Sequence, residues 1–247
     1  MTKQIRAGIW LAVSLISAYQ FISLGIGVVL ANSALHPGRR SIAKRAAGAA
    51  ILQDQFRAPL SDVSVMASDG TLLRAWYAQP ASWEGSAVIL LHGVADNREG
   101  VSGYARMFLH HGYAVLLPDS RRHGESGGDI ATYGVTEPND VRRWAEWLAP
   151  HLTNCEYLFG ESMGAAIVLQ ASEGIPHLCA AVSEAPFSSF REIALDRISQ
   201  TTHLSKWLAR AAGLPALESG LLYARMRYGV NLLTPWNRFE DLTLQSS

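Results

Sequence analysis

The chain has 247 residues, with 21 Lys and Arg against 21 Asp and Glu and a formal net charge of zero. Nucleic-acid binding needs a surplus of basic residues to displace counterions, so this balance removes the electrostatic case for such a partner. At 49% apolar and 17% charged residues the chain is too apolar for a disordered polymer, and its two cysteines, Cys155 and Cys179, exclude a disulfide-dense scaffold or a four-cysteine zinc site.

From Ala7 to Leu35 no residue is charged. A helix over Gly8 to Ala31 rises roughly 36 Å at 1.5 Å per residue, enough to cross a hydrocarbon layer about 30 Å thick with some tilt. A cleaved signal peptide is the alternative, with Ala31-Asn32-Ser33 as a loose cleavage site, but signal h-regions are only about 7–15 residues long. The reading is a single-pass membrane anchor over residues 1–35. Lys3 and Arg6 precede it and Arg39, Arg40, Lys44 and Arg45 follow it, which leaves the side of the main domain open.

His36-Pro37-Gly38 breaks the helix, and residues 36–58 read as a basic juxtamembrane linker with a short amphipathic helix over Arg39 to Gln53. Residues 59–247 change pattern. Asp62 to Ala67 and Leu72 to Gln79 alternate like strands around an Asp69-Gly70 hairpin turn. Short apolar runs follow at Ala87 to Leu91, Tyr113 to Leu117, Cys155 to Phe159 and Leu178 to Ser183, separated by helix-length segments including Gly100 to His111 and Val135 to Leu148. Apolar strands alternating with helices predict an α/β fold, a mostly parallel sheet covered on both faces. No period of 20–50 residues repeats, which argues against a solenoid.

Ligands of open α/β sheets bind beyond the carboxyl ends of the strands. G-x-S-x-G occurs twice, at Gly124 to Gly128 and at Gly160 to Gly164. The first lies in a loop after Asp119. The second follows an apolar strand and opens the helical stretch Met163 to Ser172, the strand-turn-helix setting that raises a nucleophile above a sheet. Ser162 is therefore the candidate nucleophile, and the alternative is a serine that caps the helix. The backbone N–H of Met163 and that of Val94, after His92-Gly93, are the candidate oxyanion donors.

At these residues the sequence resembles the α/β-hydrolase superfamily, and within it a bacterial branch of membrane-anchored serine hydrolases related to acyl-peptidase and esterase-like enzymes. The stretches that carry the resemblance are Leu90-Leu91-His92-Gly93, Asp119 to Gly128, Tyr133 to Glu137, Gly160 to Gly164 and Ala185-Pro186-Phe187. One position departs, Arg122, where relatives carry a small residue before His-Gly. The resemblance implies hydrolysis of a small ester, amide or peptide-like substrate with no cofactor. It also implies a helical cap over residues 187–235, and an acid followed by a histidine in chain order after the serine.

No H-G-x-x-D motif and no histidine follows Pro235-Trp236. The expectation is therefore a C-terminally truncated hydrolase lacking its last two strands. His177 begins a strand at the end opposite the elbow, roughly 20 Å from Ser162 at about 3.3 Å per residue. His203 lies in the cap stretch. No base is found, and Glu184, ending the strand beside the elbow strand, is a weak candidate acid. His92 and His123 are expected to shape loops rather than to join Asp119 in a metal site.

Two function classes stand side by side: a serine hydrolase impaired by its incomplete triad, and a non-catalytic remnant acting as a membrane-anchored binding module. Leu178 to Ser183 becomes an apolar sheet edge, a candidate surface for self-association. Cys155 and Cys179 begin neighbouring strands, either as buried free thiols, the default for an isolated pair, or as a disulfide if register and direction agree.

Overall fold

The computed structural model describes residues 2–42, 59–187, 189–203 and 205–233. They form two units, one of residues 35–187 and one combining residues 1–34 with residues 188–247.

The first unit is built on a six-stranded sheet. Its strands are β1 (Leu60–Met66), β2 (Leu72–Ala78), β3 (Ala87–Leu91), β4 (Ala114–Pro118), β5 (Glu156–Glu161) and β6 (Leu178–Glu184), in the spatial order β1-β2-β4-β3-β5-β6. The β1–β2 and β2–β4 pairs are antiparallel, while β4, β3, β5 and β6 run parallel. The hairpin forms at Asp69-Gly70: Gly70 takes φ of 80°, and Asp69 Oδ1 accepts the Thr71 N–H at 3.0 Å. Every residue of β3 and β4 is buried, as continuous apolar runs require when both faces of a sheet are covered.

Between the strands lie α2 (Ser102–His110), α3 (Glu137–Leu148), and α4 (Met163–Ala171), whose side chains are nearly all buried. One face of the sheet gathers Leu73, Ile89, Leu116 and Leu158 with Trp144, Leu148 and Ile167. The other gathers Trp76, Val88, Leu90 and Leu117 with Val101, Leu109 and Phe159. Beyond β6 no further strand pairs among the described residues, and Val182 is half exposed there.

The cysteines form a disulfide, so the free-thiol reading is corrected. Cys155 and Cys179 lie 5.7 Å apart between Cα atoms, one just before β5 and the other in β6. The register slips between Glu156 and Tyr157, so Leu178 faces Glu156 while Ala180 faces Tyr157, which leaves Cys179 opposite the irregularity. That local slip, invisible in the sequence, accompanies the bridge. Closing a 24-residue separation contributes roughly 3 kcal/mol in the chain-entropy account.

In the second unit the long helix α1 (Lys3–Leu35) runs with α5 (Phe190–Thr202) and α6 (Lys206–Tyr228). Ser189 and Ser205 cap α5 and α6, accepting the N–H groups of Glu192 and Leu208. Helices α1 and α6 cross backbone to backbone: a Cβ on Gly27 would sit 2.3 Å from the Ala216 carbonyl oxygen. Pro215, inside α6, cannot donate to the Ala211 carbonyl, and the Tyr19 hydroxyl lies 3.5 Å from that oxygen and donates to Ala212 at 3.0 Å. Helix α1 is long and apolar enough to cross a membrane, and residues 2–22 are exposed along their whole length. Of the basic helix expected over Arg39 to Gln53, residues 39–42 are described and are not helical; the rest, and the tail after Leu233, lie outside the described residues.

Glu156, the first residue of β5, is 1% exposed and its Oε1 has no hydrogen-bond partner among the described residues. Burial pushes its carboxyl up to about 7 from an ordinary 4.5. Stability is full below the lower value, falls as pH rises toward the upper one, and is level beyond it. Glu156→Gln is expected to raise stability by ~1–3 kcal/mol at pH 8 and to change it little at pH 4.5. Denaturant titrations of both proteins at the two pH values check this; an equal effect at both contradicts it.

Candidate active site

Strand β5 delivers the chain to Glu161, and α4 starts at Met163. Ser162 between them has φ of 52° and ψ of −108°, a conformation that costs of order 1–3 kcal/mol for a residue with a side chain. The surroundings impose it. A Cβ on Gly160 would fall 2.3 Å from the backbone C and O of Gly164, and one on Gly164 would fall 2.4 Å from the Leu91 carbonyl oxygen. Helix and strand therefore cross with no room for side chains, and the one residue joining them must turn sharply. The Ser162 N–H donates to the Glu184 carbonyl at 2.9 Å, and its own carbonyl accepts the Ala166 N–H at 3.2 Å. Its hydroxyl makes no capping bond to α4, so the helix-cap alternative does not describe it.

The other G-x-S-x-G match is a different object. Ser126 is fully buried, its Oγ donating to the Asp119 carbonyl at 2.8 Å and accepting the Arg74 N–H at 2.9 Å. This serine ties a loop to β2.

Facing Ser162 is the loop after β3. A Cβ built on Gly93 would lie 3.6 Å from that of Ser162, an ordinary contact, so the loop bearing Val94 adjoins the elbow. Val94 is 38% exposed and Met163 is buried. The loop is fastened from beneath by Arg98, a buried cation. Its N–H donates to Asp119 Oδ1 at 2.7 Å, its Nη2 lies 2.8 Å from Asp119 Oδ2 and 2.7 Å from Glu125, and its guanidinium stacks 5.5 Å from the Trp76 ring. Leaving either partner of such a pair alone in the interior costs roughly 3–5 kcal/mol. Arg98 is a structural residue that belongs to no motif in the sequence; an Arg in a loop carries no signal until its burial is known.

His92 and His123 hold loops, as the sequence implied. The His92 Nδ1 is 2.7 Å from the Gly93 carbonyl, and its Nε2 accepts the Ser120 N–H at 3.1 Å. His123 Nδ1 is 3.0 Å from the Arg121 carbonyl, and burial with the neighbouring His92 brings its pKa down to about 4. His177 lies by the start of β5, its carbonyl accepting the Glu156 N–H, at the end of the sheet away from the elbow. His203 is exposed and caps α5 in a left-handed conformation. Glu184 pairs in register with Glu161 beside the elbow, and its carboxylate accepts the Tyr104 hydroxyl. That hydrogen bond pushes the phenol up to about 12, so Tyr104 stays a donor near neutral pH. Tyr104, on α2, lies within the segment Gly100 to His111, which the sequence marks only as helix-length.

Arg122, the departure before His-Gly, has φ of 67° and a buried Nε with no partner among the described residues. A left-handed φ is what favours glycine there. A pocket of about 440 Å³ by Tyr77, Pro80 and Trp83 lies beyond the end of β2, across the sheet from the elbow.

A mixed sheet with helices on both faces, a sharp serine turn after one strand and a loop after its neighbour that adjoins the turn are the arrangement of an α/β-hydrolase. The chain belongs to the serine aminopeptidase, S33 family, which residues 84–220 match. Over 130 residues it is 33% identical to the uncharacterized protein YqkD of Bacillus subtilis (strain 168), covering 49% of this chain and 41% of YqkD, so the match spans less than half the length of that curated relative. The esterase Pf2001 of Pyrococcus furiosus shares the fold at a TM-score of 0.60 and 24% identity, over 76% of this chain and 72% of that one. The hypothetical protein PA2218 of Pseudomonas aeruginosa does so at 0.50 and 18%, over 63% and 55%.

The two motif serines should respond oppositely to substitution. Ser126→Ala strands a buried N–H and a carbonyl and is expected to cost ~1–3 kcal/mol. Ser162→Gly and Arg122→Gly relieve a left-handed φ and are each expected to gain ~1 kcal/mol. Chemical denaturation of the three variants checks the signs; a destabilised Ser162→Gly contradicts the strain.

Proposed function

We propose that this protein is a serine hydrolase of the ester- or amide-cleaving type, with Ser162 as nucleophile and the backbone N–H groups of Val94 and Met163 as oxyanion donors. The observation that carries the reading is the left-handed backbone of Ser162 above a helix N-terminus, with a hydroxyl that makes no capping bond to that helix. A turn that strained persists where the surroundings over-determine it, and such turns cluster at reactive sites.

The same geometry argues that turnover is impaired. Among the described residues neither buried histidine offers a base: His92 uses both ring nitrogens on its own loops, and His123 is enclosed. Loss of the base alone costs about 10⁶ in turnover in a serine protease, leaving roughly 10³–10⁴ over water from the donors and binding. Glu184 is held as a weak candidate acid, engaged by Tyr104 rather than by an imidazole. The second reading, a membrane-anchored binding module, draws on the absence of a placed base among the described residues.

A fluorophosphonate probe separates the two. Slow labelling at Ser162, absent in Ser162→Ala and accelerated by imidazole in the buffer, is expected for a nucleophile short of a base. No labelling of folded protein, with or without imidazole, favours the binding module.

We further infer a single-pass anchor in α1 with the hydrolase unit on an oxidising side of the membrane, because a disulfide such as Cys155–Cys179 persists in that setting. Thiol labelling under denaturing, non-reducing conditions is expected to find no free cysteine in protein from its native membrane. Two reactive thiols contradict this orientation.

A further inference from the structure

The residues that leave α1 do not form a free tether within the hydrolase unit. Leu35 is fully buried, and its carbonyl accepts the Ala131 N–H at 2.9 Å. Pro37 is buried as well. Arg39 then spreads its guanidinium over three carbonyls of one loop: Nη1 donates to Gly124 at 3.2 Å and to Ser126 at 2.6 Å, and Nη2 donates to Gly128 at 3.2 Å. Arg40 reaches the neighbouring loop, its Nη1 2.7 Å from Asp96 Oδ1 and its carbonyl accepting Asn97 Nδ2 at 3.1 Å.

Both loops stand at the carboxyl ends of parallel strands. Residues 119–128 follow β4, and residues 92–98 follow β3 and carry Val94. Asp119 links them, since its Oδ1 accepts the Arg98 N–H at 2.7 Å and its Oδ2 accepts the Glu125 N–H at 2.8 Å. The segment therefore grips the donor loop twice, directly at Asn97 and indirectly through the Asp119 loop. Burial ranks the contacts. The Arg40–Asp96 pair is exposed to solvent screening and is the weakest of these contacts. Asn97 is fully buried, and Arg39 is exposed but brings a charged donor to three carbonyls, the bond to Ser126 being the short, part-buried one.

We propose that residues 35–40 form a positioning strap, acting chiefly through Arg39, that holds the Val94 loop in register with Ser162. The segment leaving the membrane helix thereby sets the reactivity of the serine. The inference rests on the Ser162 reading for its chemical consequence, but its structural part stands apart from it.

The experiment uses the full chain in detergent or nanodiscs, with Arg39→Ala and Arg39→Lys beside the parent. Two quantities are read. In hydrogen exchange, Arg39→Ala is expected to speed exchange of the Arg98 and Glu125 amides at least tenfold while the amides of β3, β4 and β5 keep their rates. In fluorophosphonate labelling, the limiting rate is expected to fall about ten- to a hundredfold with the half-saturating probe concentration unchanged, and Arg39→Lys is expected to recover part of both effects. Exchange that is unaltered at those two amides, or raised uniformly across the sheet, overturns the strap. So does an unaltered limiting rate. If the parent is not labelled at all, the nucleophile reading fails, and the exchange result still decides the strap.

Discussion

The arrangement depends on one steric fact: strand β5 and helix α4 cross at backbone contact, and Gly164 lies against the carbonyl of Leu91 on β3. Two glycines allow that approach, and the approach leaves Ser162 no relaxed conformation. The strain of one residue is small beside the apolar surface that α4 buries, with Met163, Ile167 and Val168 all covered. Burial of a single such side chain contributes about 1.5–3 kcal/mol. A tightly packed helix can thus hold a serine where it would not rest unaided.

The loop opposite is held by electrostatics rather than by apolar packing. Asp119 is enclosed, and its oxygens meet the side chain and amide of Arg98 and the amide of Glu125. A buried pair of this kind adds little net stability over an apolar substitute. Its effect is to fix geometry, because each partner has a single arrangement that leaves no charge unpaired. The strap of residues 35–40 adds a second fastening on the solvent side. The loop bearing Val94 is therefore gripped from both sides, while Val94 itself stays accessible.

Much of this was legible in the sequence. Alternation located β1 and β2 and short apolar runs located β3 to β6, each to within two residues; the runs are clearest at β3 and β4, which are buried throughout. What sets the two G-x-S-x-G matches apart in the sequence is the strand before Gly160, which has no counterpart directly before Gly124. Less legible were features made by contacts between distant segments. Arg39, Arg98 and Tyr104 look like ordinary surface residues until the fold brings Gly128, Asp119 and Glu184 to them. The disulfide between Cys155 and Cys179 was one of two open readings, because a register slip at Glu156 does not show in an apolar pattern. Arg122 was visible as an oddity, and its left-handed backbone supplies the reason that a small residue suits the position.

In the proposed reading the Ser162 hydroxyl faces a preformed pair of backbone donors. A crystal structure of the protein after reaction with a small phosphonofluoridate tests it most directly. The expected adduct has phosphorus bonded to Ser162 Oγ, with the phosphoryl oxygen roughly 2.7–3.1 Å from the amide nitrogens of both Val94 and Met163. An adduct on another residue, or one whose phosphoryl oxygen points to solvent, contradicts it.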